Sequence, residues 1–164
     1  MDRAEIQQLV DRHGTALVLY ARQWCLNPDD AVQEAFCDLI ANRNDRPNTP
    51  VAWLFKVTKR KAMNQARAEQ RRKKHHEFAA NASDSWFEPQ PEARIVEAEV
   101  EFALKALGEM ERQVVVARIW GELTFDQIAE VVSTSSSAAH RQYHQALKKM
   151  ATRFSERTAR KIAE

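Results

Sequence analysis

Residues 120–148 of the 164-residue chain read WGELTFDQIAEVVSTSSSAAHRQYHQALK, and they carry the clearest fold signal in the sequence. Thr124 and Gln127 stand at the spacing of a capping box, which predicts a short helix over 125–132. A serine-rich turn from Ser133 to Ser137 follows, and a longer helix is predicted from about 136 to near 158. A short helix, a tight turn and a longer helix form the pattern of a helix-turn-helix, whose second helix lies in the DNA major groove.

The longer helix has two chemically different faces. At 3.6 residues per turn, Tyr143, Leu147, Met150 and Phe154 share one side, which suits a core. The adjoining side carries hydroxyls, imidazoles and cations, which suit base edges and phosphates. The candidate contacts are Ser136, Ser137, His140, Arg141, His144 and Lys148. His140 and His144 stand four residues apart, but no third ligand lies nearby, so neither a metal nor a cofactor is expected.

Helical signals also dominate upstream. Apolar spacing predicts helices over about 2–25, 28–42, 50–76, 91–107 and 109–120. Asn27 and Pro28 are typical of the cap and first position of the second helix. With only three glycines and five prolines, an all-β fold is disfavoured. We therefore predict an all-α protein with two small helical domains, 1–77 and 92–164, joined by a linker over 78–91.

The linker contains one unusual pair, Trp86-Phe87. The pair either makes a local contact onto one domain or docks onto a partner, and the sequence leaves both alternatives open.

Composition excludes several function classes. The chain has no glycine-rich phosphate loop, and Cys25 and Cys37 do not form a CxxC pair. No apolar run is long enough to span a membrane, and no secretory signal is present. No catalytic constellation emerges. We expect a cytoplasmic, non-enzymatic binding protein without membrane insertion.

The net charge of +2 hides a strong segregation of charge. Residues 56–74 carry +8, residues 81–110 carry −5 and residues 139–161 carry +6. In the third predicted helix, five cations fall within an arc of about 60°. These are Lys56, Arg60, Arg67, Arg71 and Lys74. Trp53, Leu54, Val57 and Ala68 fall on the adjoining side and are predicted to face the core. Such a stripe suits a sugar-phosphate backbone, although a solvated helix face would carry similar charge.

Two groups of motifs, one in each half of the chain, resemble those of a known family. DAVQEAF at 30–36 and AWLFKV at 52–57, continuing to the arginines at 67, 71 and 72, resemble region two of sigma-70-type RNA polymerase sigma factors. The stretches 103–107, 112–116, 120–129 and 135–148 resemble region four. Both regions stand in order with a short connection, as in the extracytoplasmic-function group.

The resemblance implies a role for each surface. The face with Asp30, Gln33, Glu34 and Asp38 would dock the clamp helices of the core polymerase. The minus-ten promoter element would be held by Asn44, Lys56, Arg60, Asn64, Arg67, Arg71 and Lys74. The helix from 136 to 148 would read the minus-thirty-five element, while the other surface of region four meets the polymerase flap. An anti-sigma factor is a further implied partner.

The chain departs from the family pattern at several positions. The family commonly has Asn where Arg60 stands and Asp where Asn64 stands, and its helix-turn-helix turn carries Gly where Ser133 stands. If the turn needs a positive φ, Ser133 is strained there. Two further readings remain: a stand-alone helix-turn-helix regulator with a helical effector domain, and a helical enzyme or structural adaptor.

Overall fold

The computed structural model describes residues 2–42, 47–75 and 95–163, and all regular elements within these ranges are α-helices. They are α1 (Arg3–Ala21), α2 (Pro28–Ala41), α3 (Pro50–His75), α4 (Ile95–Lys105), α5 (Glu109–Ile119), α6 (Phe125–Val132) and α7 (Ser136–Ala163). The predicted all-α fold is confirmed. The predicted linker 78–91, with Trp86-Phe87, lies outside the described residues, as does Asn44, so the domain boundaries stay a prediction.

Local capping explains where the helices begin. At α6 the Thr124 hydroxyl accepts from the Gln127 N–H at 3.3 Å, and the Gln127 amide oxygen accepts from the Thr124 N–H at 2.9 Å. The capping box is therefore confirmed. At α2 the Asn27 side chain makes no capping hydrogen bond. That start relies instead on Pro28 at the first helical position and on the acidic first turn, which complements the helix dipole.

The N-terminal half consists of α1, α2 and α3, with α2 packed against both other helices. The buried side of α2 is the predicted one, and its innermost residues are Ala31, Val32, Ala35, Phe36 and Leu39. Leu17 and Tyr20 from α1 and Leu54 from α3 are completely buried.

The C-terminal half consists of α4 to α7, with α5 at its centre. Val114, Val115, Val116 and Ala117 are all buried, so the middle of α5 is covered on all sides, whereas Met110 and Ile119 near its ends are exposed. A helix buried on all sides belongs in a core rather than at a surface. The covering comes from α6 and α7 on one side and from α1 of the N-terminal half on the other.

The two halves share one buried core. Helix α1 runs antiparallel to α5: the Trp24 indole donates to Glu109 at 3.1 Å, and the Tyr20 hydroxyl donates to Gln113 at 3.1 Å. Helix α3 packs against α6, and the Phe55 ring lies on Gly121. The described helices thus form one packed body rather than two separate modules.

Two peripheral ion pairs frame this contact between the halves. Arg22 pairs with Glu101 at 2.8 Å in a largely buried position, and Arg12 pairs with Glu122 at the surface. The exposed Arg12–Glu122 pair contributes little to the stability of the fold, because solvent screens its charges. The Arg22–Glu101 pair is better placed to fix the docking of α4 on α1.

Candidate nucleic-acid interface

The basic stripe on α3 occupies four successive turns. Lys56, Arg60, Asn64 and Arg67 are all exposed, and Arg71 and Lys74 continue the row on the exposed end of the helix. At 1.5 Å per residue, Lys56 and Arg67 lie about 17 Å apart along the helix axis. The structure therefore brings together every described candidate for the minus-ten surface, as a continuous cationic row.

This row faces the helix-turn-helix. A cavity of about 280 Å³ separates α3 from the C-terminal end of α6. Its lining residues are Lys56, Lys59, Arg60, Met63, Asn64, Arg67, Val131 and Ser133. Ser133 follows the last residue of α6 with φ 57° and ψ 54°, the left-handed conformation expected for a position where the family has Gly. The negative end of the α6 dipole thus points toward the cations of α3.

Lys59 also belongs to this surface, although it is not among the candidate contacts selected from the sequence. Its ammonium donates to the side-chain oxygen of Gln113 at 2.9 Å and lies 5.5 Å from the centre of the Trp24 ring. The only sequence signal for it was its place in the +8 block, because it lies about 60° outside the arc of the five cations.

The recognition helix candidate α7 presents its polar side to solvent. Ser137, His140, Arg141, His144 and Lys148 are exposed, and Ser136 is half-buried. The Ser135 hydroxyl accepts from the Ala138 N–H at 3.1 Å and caps the first turn. The side of α7 that was predicted to face the core is also the less exposed one, since Met150 is buried and Tyr143, Leu147 and Phe154 are half-buried.

An aromatic cluster orients the imidazoles of α7. The Nε2 atoms of His140 and His144 lie 3.1 Å apart, and the Phe125 ring meets His140 edge-on at 4.9 Å. Tyr143 packs against the same Phe125 ring at 5.6 Å. The guanidinium of Arg118 covers Phe125 at 4.9 Å. Phe125 therefore links the first helix of the motif to the side chains expected to meet bases.

The acidic face of α2 is exposed but partly paired. Asp30, Gln33 and Glu34 are exposed and Asp38 is half-buried. The Lys61 ammonium lies 3.0 Å from Asp38 and 3.3 Å from Glu34, and the hydrogen bond to Asp38 is the main reason that the pKa of Lys61 is raised.

A groove of about 490 Å³ runs beside these acids between α2 and α3. It is lined by Asn27, Asp30, Gln33, Glu34, Cys37, Gln65, Ala68, Glu69 and Arg72. Three carboxylates against one guanidinium make it suited to a basic partner.

Other kinds of site find no support in the described residues. No group of three or more His, Cys, Asp or Glu side chains there could hold a metal ion. None of the described helices combines the length and the apolar character needed to cross a membrane.

Comparisons with known proteins agree with this geometry. A family model for sigma-70 region 2 matches residues 9–72, and one for sigma-70 region 4 matches residues 103–152. Together they match more than half of the chain. Comparison with curated protein sequences gave no significant match.

Solved structures share the fold. CnrH, solved in complex with the cytosolic domain of CnrY, is 24% identical with a TM-score of 0.62, over 94% of this chain and 90% of that one. The sigma factor RpoE from Bartonella quintana, solved with the anti-sigma factor NepR, is 14% identical with a TM-score of 0.65, over 91% of this chain and 95% of that one.

Proposed function

Because the chain belongs to the sigma-70 family, with regions 2 and 4 arranged as in the extracytoplasmic-function group, we propose that it binds core RNA polymerase and directs it to specific promoters. Region 2 would hold the minus-ten element on α3, and region 4 would read the minus-thirty-five element with α7. Sigma factors initiate transcription without catalysing a reaction, so the polymerase supplies the chemistry.

The observation that carries this proposal is the pair of cationic helix faces, one in each half of the chain. Lys56, Arg60 and Arg67 form a row that can follow a single strand, while Arg141 and His140 project from a helix shaped for the major groove. Because each neutralised phosphate releases counterions, both contacts should weaken steeply with salt. Two DNA surfaces on one chain suit the two elements of a promoter.

The acidic face of α2 is the proposed polymerase contact. Asp30, Gln33 and Glu34 are exposed beside a groove that suits a basic helical partner. Asp38 and Glu34 already hold Lys61, so a polymerase cation would compete with an internal ion pair there. A partner that presents several cations at once is best able to displace Lys61 from these carboxylates.

The same proposal excludes one alternative function and adds one further partner. A stand-alone regulator is not favoured, because the region 2 match covers 9–72, where an unrelated effector domain would be needed. An anti-sigma factor would regulate the chain, since RpoE of similar fold was solved with one. Action on chromosomal DNA would place the protein in the cytoplasm.

Two substitutions test the DNA and polymerase contacts, the second with a matched control. Arg141→Ala should weaken promoter binding by the reconstituted holoenzyme by about 1–3 kcal/mol if the guanidinium contacts a base. An equal loss on every DNA sequence would make it a phosphate contact instead.

Glu34→Gln should weaken binding to core polymerase. The control Glu130→Gln replaces an exposed acid on α6 and should leave that binding unchanged. Equal behaviour of the two glutamine variants would contradict the assignment of α2.

A further inference from the structure

Two imidazoles on the exposed side of α7 are in direct contact with each other. The Nε2 atoms of His140 and His144 lie 3.1 Å apart, and the ring centroids lie 4.3 Å apart. Both residues are exposed and stand within the first three turns of the proposed recognition helix. Because each Nε2 faces the other ring, the nitrogens left for an outside partner are the two Nδ1 atoms. Neither Nδ1 has a hydrogen-bond partner among the described residues.

Aromatic side chains hold the two imidazoles in this arrangement. The Phe125 ring meets His140 edge-on at 4.9 Å, and the Tyr143 ring meets His144 edge-on at 5.5 Å. Phe125 and Tyr143 are half-buried and also pack against each other at 5.6 Å. The imidazoles are therefore supported from the protein side while their other side is open to solvent. We treat them as one unit, referred to below as the histidine pair.

Charged groups surround the histidine pair without neutralising it. The titratable groups on the elements packed around it are Arg141, Tyr143 and Lys148 on α7, Asp126 and Glu130 on α6, and Arg118 on α5. Asp126 is exposed and directly follows Phe125, whereas the Arg118 guanidinium covers the Phe125 ring at 4.9 Å. Helix α4 meets α7 farther along, where Arg153 covers Phe102. Neither imidazole forms an ion pair with a carboxylate of the described residues.

The number of protons on the histidine pair decides which groups it offers to a base. A neutral imidazole has one N–H and one lone pair. In the neutral pair one Nε2–H donates to the other Nε2, so one Nδ1 is left as an acceptor and the other as a donor, whichever ring donates. One added proton occupies the free Nδ1 lone pair, and both Nδ1 atoms then donate. The bond between the rings becomes charge-assisted in that form, whereas a second proton would break it.

These two patterns match two different purines in the major groove. Adenine presents an acceptor at N7 and a donor at N6, which complement the neutral pair. Guanine presents acceptors at N7 and O6, which complement the singly protonated pair. The ring separation of 4.3 Å is close to the base-pair rise of about 3.4 Å, so both imidazoles fit against one base-pair step. Imidazole is also the side chain whose charge ordinarily changes between pH 5 and 8, so both forms are accessible under mild conditions.

We propose that His140 and His144 form one base-reading unit of region 4, which selects adenine when neutral and guanine when it holds one additional, shared proton. The inference rests on the proposed function, because it takes α7 as the helix that reads the minus-thirty-five element. The added positive charge also strengthens binding to any DNA, since neutralised phosphates release counterions. The diagnostic quantity is therefore the ratio of guanine to adenine at one position, rather than the affinity.

The test measures base selection by the full chain bound to core polymerase at two pH values. The probe is a pool of promoter duplexes, built on a promoter found by mapping start sites, in which the minus-thirty-five element is randomised. Bound duplexes are recovered at pH 8.0 and at pH 6.0 and sequenced. Comparing bases within one pool cancels the effect of pH on the polymerase and on the other contacts.

The expected result for the wild type is one position at which the ratio of guanine to adenine rises about tenfold from pH 8.0 to pH 6.0. His140→Gln and His144→Gln should each abolish this rise, because the shared proton needs both rings. Both residues are exposed, so neither substitution disturbs the core. The control His13→Asn removes a buried imidazole of α1 and should keep the rise. No rise in the wild type, or a rise that survives either glutamine substitution, would overturn the proposal.

A second measurement tests the shared proton in the free chain. Nitrogen-15 NMR of the imidazoles should show that His140→Gln changes the titration of His144, and that His144→Gln changes the titration of His140. Independent titration of the two rings would also overturn the proposal. The pool separates this inference from the proposed function. A wild-type chain that selects a minus-thirty-five element with the same bases at both pH values refutes only the role of the histidine pair. A chain that selects no element at either pH refutes the proposed function as well.

Discussion

Gly121→Ala should destabilise the protein, because the structure leaves no space for a methyl group at this position. An added Cβ would lie 2.6 Å from the Ala117 carbonyl oxygen and 2.6 and 2.9 Å from two atoms of the Phe55 ring. Phe55 is completely buried, so its ring cannot move aside without disturbing the core. Overpacking of this kind costs about 1–3 kcal/mol. For a chain of this length that corresponds to a fall in Tm of roughly 2–12 °C.

The same substitution at Gly14 is the matched control, with the opposite expected sign. Gly14 lies inside α1, and its added Cβ would meet only Val10, at 4.0 Å. Replacing glycine in a helix interior by alanine contributes about 0.5–1 kcal/mol of stability. Urea unfolding of the two variants at pH 7.5 gives both values. A Gly121→Ala protein as stable as the wild type would refute the packing of Phe55 on Gly121.

A double-mutant cycle locates the clash between the two halves. Phe55→Leu removes the ring atoms that the new methyl group would meet, so Phe55→Leu and Gly121→Ala together should cost less than the sum of the single changes. Additive losses would assign the whole cost to the Ala117 carbonyl, within the C-terminal half.

Three further substitutions test local features. Ser133→Gly should stabilise the chain by about 1 kcal/mol, since glycine adopts the left-handed conformation without strain. The control Ser135→Gly removes a helix cap and should not stabilise the chain. Equal effects of the two substitutions on the free energy of unfolding in urea would show that Ser133 is not strained. Thr124→Ala should cost about 1 kcal/mol by thermal unfolding, and no loss would argue against the capping box. The pKa of His13 is lowered, mainly by burial and also by Arg12. The unfolded chain therefore takes up the proton more readily as the pH falls below about 6.5, and stability is lost over that range. The free energy of unfolding of the His13→Asn variant should change less between pH 7.5 and 5.5 than that of the wild type. An unchanged pH dependence would mean that other groups cause the loss of stability.

Local chemistry made much of the fold predictable. The capping box at Thr124, the proline at the start of α2 and the division of α2 into buried and exposed sides all depend on residues within one or two helical turns. For Ser133 the sequence predicted strain only if the turn needs a positive φ, and its φ of 57° meets that condition. The exposed rows of α3 and α7 follow from helical periodicity in the same way.

The contact between the halves could not be predicted from periodicity. Phe55 lies outside the arc of α3 that was predicted to face the core, and it is buried between Tyr20 of α1 and Gly121 of the other half. Lys59 finds its partner 54 residues away in the sequence. A helical wheel assigns residues to a side of their own helix, but it contains no information on which distant helix will cover that side.

Transcription with purified core polymerase shows whether the chain selects promoters. Core enzyme, the chain and sheared genomic DNA would be combined, and the 5′ ends of the transcripts mapped. We expect discrete start sites that require the chain, lie downstream of two shared sequence elements and are lost when Arg60, Arg67 and Arg141 are neutralised in a folded variant. Transcripts with the same start sites in the presence and absence of the chain would show that it does not direct the polymerase to promoters.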